Sequence, residues 1–478
     1  MISFFDHPHD GTMTDIAARI GGKGASLWAM THQLGLPVPP GFTIDTEHGA
    51  TGLTDALFAE VCAALEVIGA ELGLRFGDAA NPLLVSVRSG APVSMPGMMD
   101  TILNVGVPMG DCAALGAPEF VAATREALRT QFARTVPEHD PAIIDDPFAT
   151  LRMAIEAVFA SWQSPRAQSY RAREGISDAL GTAVTIQTMV FGHRDARSGT
   201  GVAFSRDPST GAPGATGDWL PQAQGEAVVA GTHATQPLTA LAAFAPHAHA
   251  ELLAALDQLE VHYCDMVDVE FTIESGKLWI LQARPGKRAA AAAARIASDL
   301  IDHPGIALTP AEALARVPAA TGQRTQSGAN RTITRGLGVS PGLVHGRVAL
   351  DCDAAIALDD KGEAAILVRP ETSPDDVHGM GVSVGILTAT GGMMSHAALV
   401  AREWGIAAVC GAPIMIDATG FDTGGTRVNA GDIISIDGTT GEVFIGMIES
   451  NNVADPYLAM LHERINKIRQ KETVDGQA

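Results

Sequence analysis

The sequence predicts an α+β protein of several domains, and three observations carry that prediction. Runs with helical periodicity are followed by strand-like runs without settling into a regular βα repeat. Around Thr321 to Asn330 the chain turns polar, rich in Gly, Gln, Ser and Thr, which is the composition of a linker. Its 478 residues correspond to roughly three domains at about 150 residues each. The expected division is a large domain over 1–320 with a helical insertion at about 112–175, a linker over 321–334, a smaller domain over 335–447, and a C-terminal helix and tail over 448–478.

Composition narrows the class. A formal charge of -22 and the lack of any basic run argue against nucleic acid and anionic membrane as partners. A 46% hydrophobic content with 18% charged residues favours folded cores. No apolar stretch reaches the ~18 residues of a membrane span, and Met1 to His7 does not read as a secretory signal, so a cytoplasmic location is expected. The cysteines, Cys62, Cys112, Cys264, Cys352 and Cys410, are scattered, without a disulfide or zinc pattern. Glycine is in excess and clustered, 51 residues against a usual share of about 7%, which suggests phosphate loops or tight turns.

Each element follows from local pattern. Gly21 to Leu34 reads as a loop and helix, and Leu53 to Leu74 as an amphipathic helix. Leu83 to Val87 reads as a buried strand that runs into an irregular Gly, Ser, Pro and Met segment. Helical periodicity marks 118–175, while 183–206 and 267–283 read as paired strands. Six alanines at 289–294 open a short helical stretch. From Arg335 short strands alternate with turns (347–350, 365–368, 384–387, 433–436, 443–445), with one helix from Ser395 to about Glu403. Pro456 to Lys471 reads as a charged amphipathic helix.

Five segments could carry chemistry. Gly21-Gly22-Lys23-Gly24 places a cation among glycines at a helix start, which suits a phosphate but also any glycine turn that begins a helix. Arg88 leaves a strand end with a donor fork matched to phosphate oxygens or to a surface ion pair. Met95 to Thr101, including Gly97, Met98, Met99 and Asp100, fits a lid over a nucleotide or core packing of its methionines. On one strand Asp268 and Glu270 share a face, either as solvated carboxylates or as oxygen ligands for Mg²⁺; Gln282 and Arg284 share a face of the next strand. In Gly391-Gly392-Met393-Met394-Ser395-His396, Ser395 can cap a helix whose first turn holds His396, where the dipole disfavours imidazolium and favours an attached phosphoryl group. The run Gly336-Leu337-Gly338-Val339-Ser340-Pro341-Gly342 precedes a strand rather than joining strand to helix, so it is not a dinucleotide loop.

Taken together, GGKGASLWAMTHQLGLPVPPGFTI, LLVSVRSGAPVSMPGMMDTILNVG, AIEAVFASWQSPRAQSYR, AVTIQTMVFG, SGTGVAFSRDPSTG, DVEFTIESGKLWILQARPGKR and GILTATGGMMSHAALVAREWGIAAVCG resemble the pyruvate, phosphate dikinase family. The resemblance runs from about Gly21 to Val443. It implies that an ATP-grasp nucleotide-binding domain precedes a phosphohistidine swivel domain. It implies Lys23 and Arg88 as phosphate ligands, Gly97 to Thr101 as the loop over the terminal phosphates, and Asp268 with Glu270 as Mg²⁺ carboxylates. Gln282 and Arg284 would complete the ATP site, and His396 would be the phosphorylated histidine. In the implied reaction His396 attacks the β-phosphate of ATP, inorganic phosphate removes the γ-phosphate as pyrophosphate, and the phosphohistidine swings to an acceptor; the sequence leaves open whether phosphate or water takes the γ-phosphoryl group in this chain.

The chain departs from the family pattern in three places. Met394 stands where the family has Thr; the helix around Glu119 to Val136 leaves open which of Arg125, Arg129 or Arg134 reaches ATP; and about 30 residues follow the swivel domain where the family continues into a (β/α)₈ barrel. An acceptor held by another chain is therefore expected, and a homodimer is compatible with the resemblance. Two rival expectations are a phosphotransferase acting directly on a small molecule of a specialised biosynthetic pathway, and a nucleotide-sensing scaffold without turnover.

Overall fold

The structure, a computed structural model, describes all residues except 94, 96–97, 111, 137–139, 226–234, 318–322, 327–330, 394, 449, 454–455 and 476–478. It divides into two units, Met1–Ser198 with Thr272–Gln282, and Gly199–Phe271 with Ala283–Ala478.

The first unit is built on an antiparallel sheet of β1 (Ile2–Phe4), β2 (Gly41–Ile44), β3 (Val85–Gly90), β4 (Thr101–Val105) and β5 (Ala183–Thr188), in the order β1-β2-β5-β3-β4. Val85, Val87, Ile102, Val184 and Ile186 are fully buried in its core with Leu57, Val61 and Leu65 from one helix and Leu151, Ile155 and Val158 from another. The first of these helices, Asp55–Leu72, has clean ends: Thr54 accepts the Leu57 amide, and Gly73 closes it in the left-handed conformation. Such a side-chain cap contributes about 1 kcal/mol. The helix Pro147–Ala160 starts on Asp146 with proline at its first position, where a missing N–H costs nothing.

Two local differences from expectation have physical causes. The helix expected from Gly21 begins earlier, at Met13, because Thr12 and Asp15 form a reciprocal capping box; it breaks at Gly21 (φ 73°, ψ 161°) and resumes through Lys23 to Trp28. The strands within 183–206 do not pair with each other. β5 joins the first sheet, while β6 (Gly199–Arg206) lies in another, with β7 (Pro213–Pro221), β8 (Gln236–Pro237), β9 (Val267–Glu274) and β10 (Lys277–Pro285), in the order β10-β9-β6-β7-β8.

In the second unit Val202 and Phe204 of β6 pack with Ala292, Ile296 and Leu300 of the alanine-rich helix Ala290–Ile301 and with Leu461 of the C-terminal helix Pro456–Asp475. Arg206 is nearly buried and donates to Glu260 at 2.7 Å and to Asp299 at 3.1 Å. Desolvation makes such a network costly to break from one side.

The same unit contains an eight-stranded sheet of β11 (Thr332–Arg335), β12 (Leu337–Ser340), β13 (Leu343–Ala349), β14 (Ala365–Arg369), β15 (Gly385–Thr388), β16 (Ala407–Cys410), β17 (Ile433–Asp437) and β18 (Glu442–Ile445). Its order is β11-β18-β17-β13-β14-β15-β16-β12, with β13 to β16 parallel. Both faces are covered, as a parallel core requires. Ala365 and Leu367 of β14 face the cluster holding Ala397, Ala398 and Ala401, whereas Ile366 and Val368 face Phe421, Val428 and Ile434. Within 321–334 the described residues are not simply a linker: Gln323–Gln326 pairs with Ser450–Val453, and β11 joins the sheet edge.

Candidate active site

Lys23, Arg88, Met98 to Thr101 and Gln282 belong to the first unit, and Asp268, Glu270, Arg284 and His396 to the second. Gly97 lies outside the described residues.

In the first unit the glycine turn is seated on the end of β3. The Gly22 amide donates to Ala91 O at 2.9 Å, and a Cβ at Gly21 would fall 1.8 Å from Gly90 O. Glycine is therefore obligatory there, both for its positive φ and for the close approach. Lys23 comes two residues later and is half-buried, its Cβ 3.5 Å from where a Gly90 Cβ would stand. Arg88 is half-buried on β3, in register with Thr101 of β4 and Thr185 of β5. The chain thus gathers both cations at one end of one strand.

The segment before β4 serves packing as well as any lid. Met95 and Met98 are buried in the core, Met99 is half-buried, and Asp100 forms an ion pair with Arg166, whose Nε donates to Met98 O at 3.1 Å. Of the three arginines left open by the sequence, Arg125 donates to Gly110 O at 2.7 Å and to Pro108 O, and Arg129 lies 3.9 Å from Asp145. Arg134 lies in the last turn of the helix Pro118–Thr135.

In the second unit Asp268 is 1% exposed, and Arg284 reaches its Oδ2 through Nε at 3.1 Å and Nη2 at 3.0 Å. Oδ1 has no hydrogen-bond partner among the described residues. Burial is the largest influence on this carboxyl and pushes its pKa up; the Arg284 charge opposes the shift and Glu270 adds to it. Glu270, two residues on, is half-buried on the same strand face. A buried carboxylate with one oxygen held by arginine and the other orphaned fits a Mg²⁺ that takes its remaining ligands from phosphate and water. Among the described residues no group of three or more His, Cys, Asp or Glu forms a closed metal site. Gln282 is half-buried on β10, two residues before Arg284.

His396 is the first residue of the helix His396–Trp404, and Ser395 caps that helix by accepting the Ala398 amide. Its Nδ1 lies 3.2 Å from Thr372 Oγ1, and Nε2 is buried with no hydrogen-bond partner among the described residues. Burial lowers the imidazole pKa below its ordinary 6.5, against a smaller opposite effect from Asp376. The ring is therefore neutral at physiological pH. With the proton on Nδ1 and donated to Thr372, the Nε2 lone pair would be free to act as a nucleophile.

Sequence reasoning missed three side chains around this histidine. Thr372 lies 24 residues away in sequence and carries no local signal. Arg402 is 3% exposed and donates to Val339 O at 3.0 Å and Met393 O at 2.7 Å. Desolvation brings its pKa down to about 10, against the Asp268 charge, which raises it. Its spacing of four from Ala398, which is fully buried, was a usable signal, because it puts the guanidinium on the helix face that packs inward. Asp218 on β7 is the third; its carboxylate faces the Met393 amide, and no motif surrounds it.

Comparison with known proteins places these segments. The family model for the pyruvate phosphate dikinase AMP/ATP-binding domain matches residues 49–246 and 242–303, and that for the PEP-utilising enzyme mobile domain matches 361–441. Pyruvate, phosphate dikinase of Clostridium symbiosum is 40% identical over 91% of this chain and 57% of its own length. The chloroplastic pyruvate, phosphate dikinase of Flaveria trinervia is 37% identical over 90% of this chain and 52% of its own, and pyruvate, phosphate dikinase 1 of Arabidopsis thaliana 38% over 89% and 51%. The chain thus spans about half the length of the curated relatives it matches. With the first model covering more than half of its residues and the second falling on the His396 helix, the chain belongs to the pyruvate, phosphate dikinase family.

Proposed function

We propose that the protein is an ATP-dependent phosphotransferase that phosphorylates its own His396 and passes the phosphoryl group to an acceptor held by another chain. The observation that carries this reading is the state of His396: a buried, neutral imidazole at a helix N-terminus, with Nδ1 on Thr372 and Nε2 unpartnered.

In the proposed reaction Nε2 attacks the β-phosphorus of ATP, the bond from the β-phosphorus to the α–β bridging oxygen breaks, and AMP leaves. Inorganic phosphate then attacks the γ-phosphorus of the pyrophosphorylated histidine, pyrophosphate departs, and the β-phosphoryl group stays on His396. In this reading Lys23, Arg88, Gln282, Arg284 and the residues from Gly97 to Thr101 other than Asp100 are the triphosphate ligands that the family resemblance implies, and donors and charges of this kind stabilise negative charge as it shifts. A Mg²⁺ at Asp268 and Glu270 would offset phosphate charge and orient the β and γ groups. The helix N-terminus beneath His396 stabilises the phosphoryl group once attached. Asp100 in this reading shapes the loop through Arg166 and does not touch phosphate.

The test uses the full chain with Mg²⁺ and ATP labelled at the β or the γ position. Without phosphate both labels should become protein-bound and acid-labile as AMP is released; with phosphate only the β label should remain. Release of γ label as phosphate, with no protein-bound label, would show an ATPase instead. The acceptor is sought by adding a candidate chain and following loss of label, with pyruvate as the first small molecule supplied.

A further inference from the structure

Gly391 and Gly392 occupy one turn, yet different things oblige each to be glycine. Gly391 has φ +108°, and a Cβ there would lie 2.9 Å from Ser395 Cβ, so the turn itself demands it. Gly392 has no positive φ. The atoms nearest a Cβ at Gly392 belong to Asp218, with Oδ2 at 2.9 Å and Cγ at 3.7 Å, and to Thr235, with Oγ1 at 3.8 Å. Both residues come from the part of the chain matched by the AMP/ATP-binding family model, while Gly392 lies in the mobile-domain match. The second glycine therefore answers to the surface on which the histidine's turn is seated.

That seat is rigid. Asp218 pairs with Val202 of β6 and Pro237 of β8, and the adjacent Trp219 is fully buried. The Met393 amide and the Thr235 hydroxyl face its carboxylate, and Oδ2 is buried without completing a well-aligned hydrogen bond. The Met393 amide faces Asp218, and the Met393 carbonyl accepts from Arg402 at 2.7 Å. Loss of solvent raises the Asp218 pKa, with the Thr235 hydroxyl and the Met393 amide opposing the shift.

We infer that Asp218 is a positioning residue for phosphorylation of His396: it seats the Gly391–Met393 turn on β7 while the imidazole is uncharged, and loosens when a phosphoryl group adds negative charge at the helix start that follows the turn. The inference rests on the reading of His396 as the phosphorylated group. A carboxylate at the seat tolerates a neutral ring at the adjoining helix start and disfavours added negative charge there. One side chain would thus both hold the histidine in place and time its departure.

The test uses Asp218→Ala, which removes the acceptor, and Asp218→Asn, which keeps an acceptor oxygen and removes the charge, both in the full chain. With Mg²⁺ and β-labelled ATP, the maximal labelling rate of Asp218→Ala should fall about 10- to 100-fold at an unchanged half-saturating ATP concentration, while Asp218→Asn stays near wild type. Hydrogen exchange gives a second readout without turnover: 389–401 should exchange faster in Asp218→Ala than in wild type or Asp218→Asn, with β13 and β16 unchanged as the control for folding. Phosphorylation of the wild-type chain should also speed exchange in 389–401, and do so less in Asp218→Asn. Wild-type labelling and exchange in Asp218→Ala would overturn the inference, as would a changed half-saturation at an unchanged maximal rate. Faster exchange in Asp218→Ala, with no label on the wild-type chain, would uphold the seat and overturn the phosphotransferase reading instead.

Discussion

Two glycine pairs look alike in the sequence and behave differently in the fold. Gly21-Gly22 and Gly391-Gly392 each precede a helical segment, and in each the first glycine has positive φ, 73° and 108°. In the first pair the obstacle to a side chain is backbone, with Gly90 O 1.8 Å from a Cβ at Gly21, and the next residue after the pair is a lysine, Lys23. In the second pair the obstacle at Gly392 is the end of the Asp218 side chain, and the helix beyond it opens on the neutral imidazole of His396. On the proposed reading one motif is a cradle for phosphate charge, and the other a seat for the histidine's turn. Sequence alone does not separate them, because the difference lies in what comes from a distant strand to meet the second glycine.

The contrast can be broken most forcefully at Gly21. Gly21→Ala should lower unfolding free energy by about 3 kcal/mol or more in urea, since backbone must move, whereas Gly392→Ala should lower it by about 1 kcal/mol or less. Equal losses would erase the distinction.

Next in size is Asp268→Asn, which leaves Arg284 beside a neutral group and takes a full charge from the proposed Mg²⁺ carboxylates. ATP-dependent labelling should fall about 100-fold or more, read as maximal rate and half-saturation separately. Retained labelling would show that the orphaned Oδ1 has no part in the reaction.

Arg402→Met should cut the labelling rate roughly tenfold while thermal unfolding stays near wild type, because an unbranched apolar side chain can fill the buried path of the guanidinium but cannot hold Met393 O. Thr372→Val should slow labelling by roughly the same factor through loss of the Nδ1 partner, and rescue by Thr372→Ser would assign the effect to the hydroxyl.

The smallest effect concerns pH. Burial lowers the His396 pKa, so the unfolded chain binds this proton more readily than the folded one. The resulting stability is full above the ordinary 6.5 and is lost as pH falls from there through the lowered folded value. His396→Asn should lack this component of acid destabilisation. A labelling rate that declines as pH rises from 6.5 would contradict a neutral imidazole as nucleophile.

Much of this was legible in the sequence, and the remainder has an identifiable cause. The helix over His396–Trp404 and the parallel strands around it follow from a serine cap and short β-branched runs, which are local signals. Asp268 and Arg284 were legible as a pair because strand alternation and hairpin adjacency bring them together. By position Asp100 falls in the loop expected over the phosphates, and the structure ties it to Arg166, a partner 66 residues away. Thr372, Asp218 and Arg402 act through contacts made only when separate segments close on one turn. Periodicity reports which face of an element is buried, and does not report what lies against it.

Mapping the β label to a peptide tests the central claim most directly. After incubation with Mg²⁺, phosphate and β-labelled ATP, acid-labile label should reside on the peptide containing His396 in the wild-type chain and be absent from His396→Asn. Label on any other residue, or equal label in His396→Asn, would contradict the account.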